Sequence, residues 1–141
     1  MISTELLFLM NINKLQSVIA RKFDSLSVHG LGFNDFVILY ILNSSSESKM
    51  RRIDLAEKTG LTASGVTRLL NPLEKIGLIA RETNERDARV SYVVITSNGK
   101  KIFEEAKRSA EHITKEILSS KKNKSLKMVN EFLFDLGGNI Q

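Results

Sequence analysis

Ser64, Thr67 and Arg68 are residues whose types and spacing suit contact with a polyanion. On a helix, Ser64 and Arg68 are four apart and lie one above the other on one face. The hydroxyls of Ser64 and Thr67 are short donors and acceptors for phosphates or base edges. Arg68 can meet a phosphate or a guanine edge. Thr62 and Ala63 stand at the leading end of the same stretch, the end that enters the major groove when such a helix reads DNA. A second set follows at Arg86, Asp87 and Arg89. An arginine at a loop tip can enter the minor groove, where the negative potential of narrow A·T-rich segments favours it. A carboxylate between two arginines can hold the shape of that loop.

Each set has a plainer explanation. Two core helices whose polar face merely meets water give the first pattern. A charged turn with a local ion pair, worth at most about 1 kcal/mol, gives the second. Taken separately, the residues leave both readings open.

Catalysis finds less support. There is no Cys, which removes disulfides, thiolate metal sites, cysteine nucleophiles and thiol switches together. His29 and His112 have no second His or carboxylate at a recognisable metal spacing. No Ser lies in a nucleophile elbow, and no glycine-rich loop resembles a phosphate cradle. The expectation is a chain with no enzymatic activity, no cofactor and no metal, although carboxylates with the two His leave a zinc sensor open.

The net charge of +5 and pI near 9.6 are compatible with a polyanionic partner without demanding one. Between Lys49 and Arg89, nine basic residues oppose six acidic ones, so the excess is mildly concentrated there. The apolar N-terminal segment ELLFLMNI is too short to span a bilayer, lacks a basic flank and shows no small-residue cleavage site. A cytoplasmic protein without membrane partners is expected.

The elements that must position these residues are legible from breakers and periodicity. Phe8, Ile12, Leu15, Ile19, Phe23 and Leu26 recur at steps of four and three, predicting an amphipathic helix over residues 4–26. Asn34 is a candidate cap for a second helix burying Phe36, Leu39, Tyr40 and Leu42. A Ser-rich loop over 43–48 ends it. A short helix over 51–59 turns Ile53, Leu55 and Ala56 inward. Gly60 makes a tight turn, and Thr62 caps a helix from Ala63 towards Ile76 that buries Val66, Leu69, Leu70 and Leu73. Pro72, inside that helix, predicts a bend or an irregular last turn. Strands over 78–81 and 89–95 enclose the charged loop. Thr96 or Ser97 caps a long helix to about residue 119, with Ile102, Ala106, Ala110, Ile113 and Ile117 as its stripe. A polar break at 119–124, including the basic run Lys121, Lys122 and Lys124, precedes a last helix that ends at Gly137-Gly138.

Two helices joined at a glycine, followed by a hairpin with a charged tip, form the layout of a winged helix-turn-helix. Across nearly its whole length the chain resembles the MarR family of winged-helix transcriptional regulators. The resemblance is carried by LAEKTGLTASGVTRLLNPLEKIGLIAR, then ERDAR with its Asp87-Ala88-Arg89, then VVIT at 93–96. It implies a mainly α fold with a small β-hairpin wing, in one domain of residues 1–141. The DNA-binding part would span about 34–96, with dimerisation helices at about 4–26 and 97–137.

The resemblance further implies that Thr62, Ala63, Ser64, Thr67 and Arg68 serve the major groove. Arg89, with Arg86, would serve the minor groove, and Asp87 would orient the wing. It implies a homodimer on a pseudo-palindromic duplex, since two terminal amphipathic helices would intertwine with those of a second copy. A small, often aromatic, ligand between the dimerisation helices and the DNA-binding part would release a repressor from its operator. Its identity, and whether this chain has one, is not legible. The rival reading is a winged-helix module that binds a protein partner instead of DNA.

Overall fold

The computed structural model describes residues 1–118 and 123–141, the side chains of 123 and 124 excepted. The polar break and basic run expected over 119–124 therefore lie outside what is described, apart from helical backbone at Asn123 and beyond.

Ser3 opens the first helix, α1 (Thr4–Lys22), its side chain accepting the Leu6 N–H at 3.1 Å. The expected continuation to residue 26 does not occur. Asp24, Ser25 and Ser27 favour local turn bonding over helix, and the chain tightens into a 3-10 turn over Asp24–His29. Gly30, at φ 78°, ends it. Phe23 and Leu26 are buried through this turn and not along α1, which itself buries no residue.

Helix α2 (Phe33–Ser44) starts earlier than Asn34 would place it. Its cap is Gly32, whose N–H donates to the Asp35 carboxylate at 2.8 Å, and Asn34 is left exposed in the first turn. Ile38, Leu39, Ile41 and Leu42 are its buried residues, whereas Phe36 and Tyr40 are half-buried. A short 3-10 turn at Ser46–Ser48, with Glu47 and Ser48 both at positive φ, turns the chain into a strand that the sequence did not announce. This is β1 (Lys49–Arg51).

Helices α3 (Arg52–Thr59) and α4 (Ala63–Lys75) follow, then β2 (Ile79–Thr83), β3 (Ser91–Ile95), α5 (Ser97–Ile117) and α6 (Asn123–Asp135). The hairpin is thus part of a three-stranded antiparallel sheet in the order β1-β3-β2. Arg51 pairs with Tyr92, and Tyr92 with Glu82. Lys49 crosses the Tyr92 ring, 4.9 Å from its centroid, to reach Glu82 at 2.7 Å, so one side chain spans all three strands. Ile53 is 63% exposed, against expectation. Leu55 sets the inward face of α3, and Ile53 lies about 160° around the helix from it at about 100° per residue.

Pro72 removes one backbone donor, yet α4 runs as one helix to Lys75. It ends in a Schellman turn: Gly77, at φ 79°, donates to the Glu74 carbonyl at 3.0 Å, and Leu78 donates to that of Leu73 at 3.0 Å. The first turn of α5 is built against this end. Thr96 donates its N–H to the Leu78 carbonyl at 3.0 Å and its hydroxyl to that of Gly77 at 2.7 Å. Its oxygen also accepts the Gly99 N–H at 2.9 Å. Aromatic stacking continues the core: Phe23 on Phe33 at 4.3 Å, and Phe36 on Phe103 of α5 at 5.2 Å. Phe103 is 3% exposed, although the expected stripe of α5 passed it over.

Gly99 sits where α5 touches the start of β2. A Cβ there would overlap the Leu78 carbonyl oxygen and approach Ile95 Cγ1 to 2.8 Å. Gly99→Ala is therefore expected to lower the unfolding free energy by about 1–3 kcal/mol, the usual range for overpacking. Urea denaturation measures this, and an unchanged midpoint would mean that α5 does not begin against Leu78.

Candidate nucleic-acid interface

The turn between α3 and α4 is specified residue by residue. Thr59 returns its hydroxyl proton to the Leu55 carbonyl at 2.9 Å, and Gly60 adopts φ 73°. Thr62 then accepts the Gly65 N–H at 3.0 Å, satisfying one of the free donors at the start of α4. Val66, Leu70 and Leu73 are buried beneath α4. The opposite face is open: Ala63, Ser64 and Arg68 are exposed.

Thr62 and Thr67 differ from those three. The Thr62 oxygen is engaged in its own cap, although its proton stays available. Thr67 is half-buried and accepts from Arg52 Nη1 at 3.2 Å. Asn71 accepts a long bond from Arg81 Nη2 at 3.5 Å, and Arg81 Nε donates to Glu74 at 2.9 Å. The open surface is thus concentrated on the first half of α4.

The wing tip is held by two side chains. Asn84 Oδ1 accepts the N–H of Arg86 at 2.8 Å and of Asp87 at 3.3 Å, an Asx turn. Asn84 N–H donates to the Val90 carbonyl at 2.9 Å, and Val90 N–H to that of Asp87 at 3.0 Å. Asp87 takes three bonds from Arg89: the backbone N–H at 3.0 Å, Nε at 3.1 Å and Nη2 at 3.2 Å. The guanidinium is set in a two-point fork while its side chain stays 89% exposed. Arg86 projects from the same tip, also exposed. The Arg89 side chain, then its backbone N–H, holds the Asp87 carboxyl below its ordinary 3.8.

Two residues of this surface escaped the sequence reading, Asn84 and Arg52. Asn84 had a readable signal, because Asn favours Asx turns. Arg52 had a weaker one: a cation at the first residue of a helix opposes the helix dipole, so it stands there without benefit to α3. The two His lie away from this surface. His29 Nε2 is 2.9 Å from Ser109 Oγ, joining the 3-10 turn to α5, and His112 is exposed beside Glu116. Among the described residues no group of three His, Cys, Asp or Glu is placed to hold a metal ion, and no helix is long and apolar enough to cross a membrane.

Comparison with known proteins points the same way. The MarR family model matches residues 33–91, from the start of α2 to the first residue of β3. The HTH-type transcriptional regulator YdgJ of Bacillus subtilis is 26% identical over 98% of this chain and 82% of its own. The solved transcriptional regulator BldR of Sulfolobus solfataricus is similar at TM-score 0.76 and 28% identity, over 95% of this chain and 99% of its own. A MarR family regulator of Streptomyces coelicolor, Sco3205, solved in complex with DNA, superposes with TM-score 0.78 at 18% identity. It covers 96% of this chain and 89% of its own, and at that identity the likeness is one of fold.

Because the Asp87 carboxyl is depressed in the folded chain, its contribution to wing order is complete above its ordinary value. It is lost only as pH falls through the lower, folded one. Carboxyl-detected NMR titration is expected to place the Asp87 midpoint below 3.8 and to return it towards 3.8 in Arg89→Ala. A midpoint insensitive to that substitution would mean that the fork is not formed in solution.

Proposed function

The chain belongs to the MarR family of DNA-binding transcriptional regulators, and we propose from that premise that it is a homodimeric repressor of a pseudo-palindromic operator. Ser64 and Arg68, with Thr62, Ala63 and Thr67, serve the major groove. Arg89, with Arg86, serves the minor groove, and Asp87 aims the wing. The observation that carries this reading is the Asp87–Arg89 fork, which presents an ordered, exposed guanidinium at the wing tip. The cytoplasm, where the duplex is reached, is the compartment this reading assigns.

Exposed apolar surface supports the dimer. Leu6, Leu7, Leu9, Met10 and Leu15 of α1 are each about half exposed or more, as are Met128, Val129, Phe132 and Phe134 of α6. The two helices meet edge to face through Phe8 and Phe132, with centroids at 5.6 Å. A second copy covering this surface forms an isologous interface and sets two α4 helices about one DNA turn apart. An effector is also part of the reading. An open cleft of about 720 Å³ beside Tyr40, Met50 and Tyr92, with Lys49, Arg51, Asp54 and Lys58 on its walls, offers space for a small aromatic ligand. To act, the effector must bind the DNA-competent and incompetent states unequally.

Selection from a pool of random duplexes, followed by mobility shift over a salt series, tests the reading. Saturable binding to an inverted repeat is expected, falling about 10³–10⁵-fold between 50 and 200 mM salt if about 6–10 phosphates are neutralised. Sequence-blind binding at every salt would favour the protein-interaction module instead. Arg89→Ala should weaken operator binding by about tenfold, within the usual range for a lost specific contact, and leave the dimer intact. Sedimentation should show Phe132→Glu as a monomer; a wild-type monomer at micromolar concentration would refute the dimer.

A further inference from the structure

One flank of α4 is gripped from outside the helix. Thr67, Asn71 and Glu74 fall at steps of four and three on one face, and two arginines reach them. Arg81 of β2 bonds Glu74 and Asn71, and its charge is neutralised by Glu74. Arg52, the first residue of α3, donates to the uncharged Thr67 hydroxyl at 3.2 Å. Among the described residues no carboxylate lies within ion-pair distance of Arg52.

That bond biases Thr67 towards donation. A guanidinium can only donate, so it occupies one of the two lone pairs of the Thr67 oxygen and leaves the hydroxyl proton unspent. Thr59 and Thr114 return theirs to their own helices, at the carbonyls of Leu55 and Ala110, at 2.9 and 2.8 Å. Thr67, among the described residues, makes no such bond.

We infer that Arg52 is a positioning residue for operator specificity. It holds the Thr67 hydroxyl so that a donor faces the major groove. A hydroxyl with one lone pair already taken is biased to donate, and so favours acceptor edges, such as guanine N7 and O6 or thymine O4, over the amino groups of cytosine and adenine. The inference rests on α4 reading the major groove, as proposed above. The competing role for Arg52 is a phosphate contact alone, which would carry no sequence information.

The test is selection of the preferred operator, then affinity for every single-base variant of one half-site, with its two-fold mate. Wild type, Arg52→Met, Arg52→Lys, Thr67→Val and the double variant are compared. Arg52→Met and Thr67→Val are expected to lose discrimination, by about fivefold or more, at the same symmetry-related positions. The double variant should be no worse than either, because the two residues act as a unit. Arg52→Lys, which keeps one donor, should restore part of the preference. Thermal unfolding checks that each variant is folded, and Arg52→Lys carries the comparison if Arg52→Met is not. A uniform loss of affinity across all sequences with a shallower salt slope, or additive effects at different positions, would overturn the inference. A wild-type chain that selects no sequence would overturn the DNA reading first, and is thereby distinguishable.

Discussion

The short junction where Gly77 and Leu78 meet Thr96 and Gly99 carries the geometry of the whole molecule. Four segments converge there: the end of α4, the start of β2, the end of β3 and the first turn of α5. Thr96 alone bonds the carbonyls of Gly77 and Leu78 while capping α5 through Gly99. Gly99 brings that turn so close to Leu78 that a methyl group would collide with backbone. The helix with the open polar half, the wing and the long helix therefore share one rigid node. A shift of α5 relative to its neighbours is transmitted to α4 and the wing together, because interiors packed this tightly move as bodies and deform little.

Around this node the proposed reading surface is ordered by small local bonds. None of them is strong by itself. The wing fork, the Asn84 turn and the Arg52 and Arg81 grips are exposed, where each contributes little to stability. Their effect is to reduce the number of conformations that binding through this surface, as proposed, would have to remove. A guanidinium already held at the wing tip loses less freedom on binding than a free one. The cleanest contrast is within the tip itself, where Arg89 is held by Asp87 and Arg86, among the described residues, is anchored only through its backbone.

How far the sequence spoke for this depended on how local each signal was. The α3–α4 turn was legible because Gly60 and Thr62 act on their immediate neighbours, and the cap at Thr96 was legible for the same reason. Strand β1 was not. Three residues, Lys49 to Arg51, are too few to show alternation, and they become a strand only because β3 lies alongside. The Arg52–Thr67 bond joins residues fifteen apart and has no periodicity to betray it. Asn34 suits a cap by residue type, but Asp35, one residue later, reaches back to Gly32 and fixes the start of α2. Phe103 and Ile102 both continue the stripe of the buried Ala106 and Ala110, and it is a tertiary contact, the stack of Phe103 on Phe36, that makes Phe103 the deeper of the two.

Hydroxyl-radical and methylation footprinting of the wild-type chain on its selected operator tests the central claim most directly. The account predicts two symmetric major-groove half-sites, centred about 10 base pairs apart, each flanked by a minor-groove protection that Arg89→Ala removes while the major-groove pattern stays. Protection without two-fold symmetry, or minor-groove protection indifferent to Arg89, would contradict it.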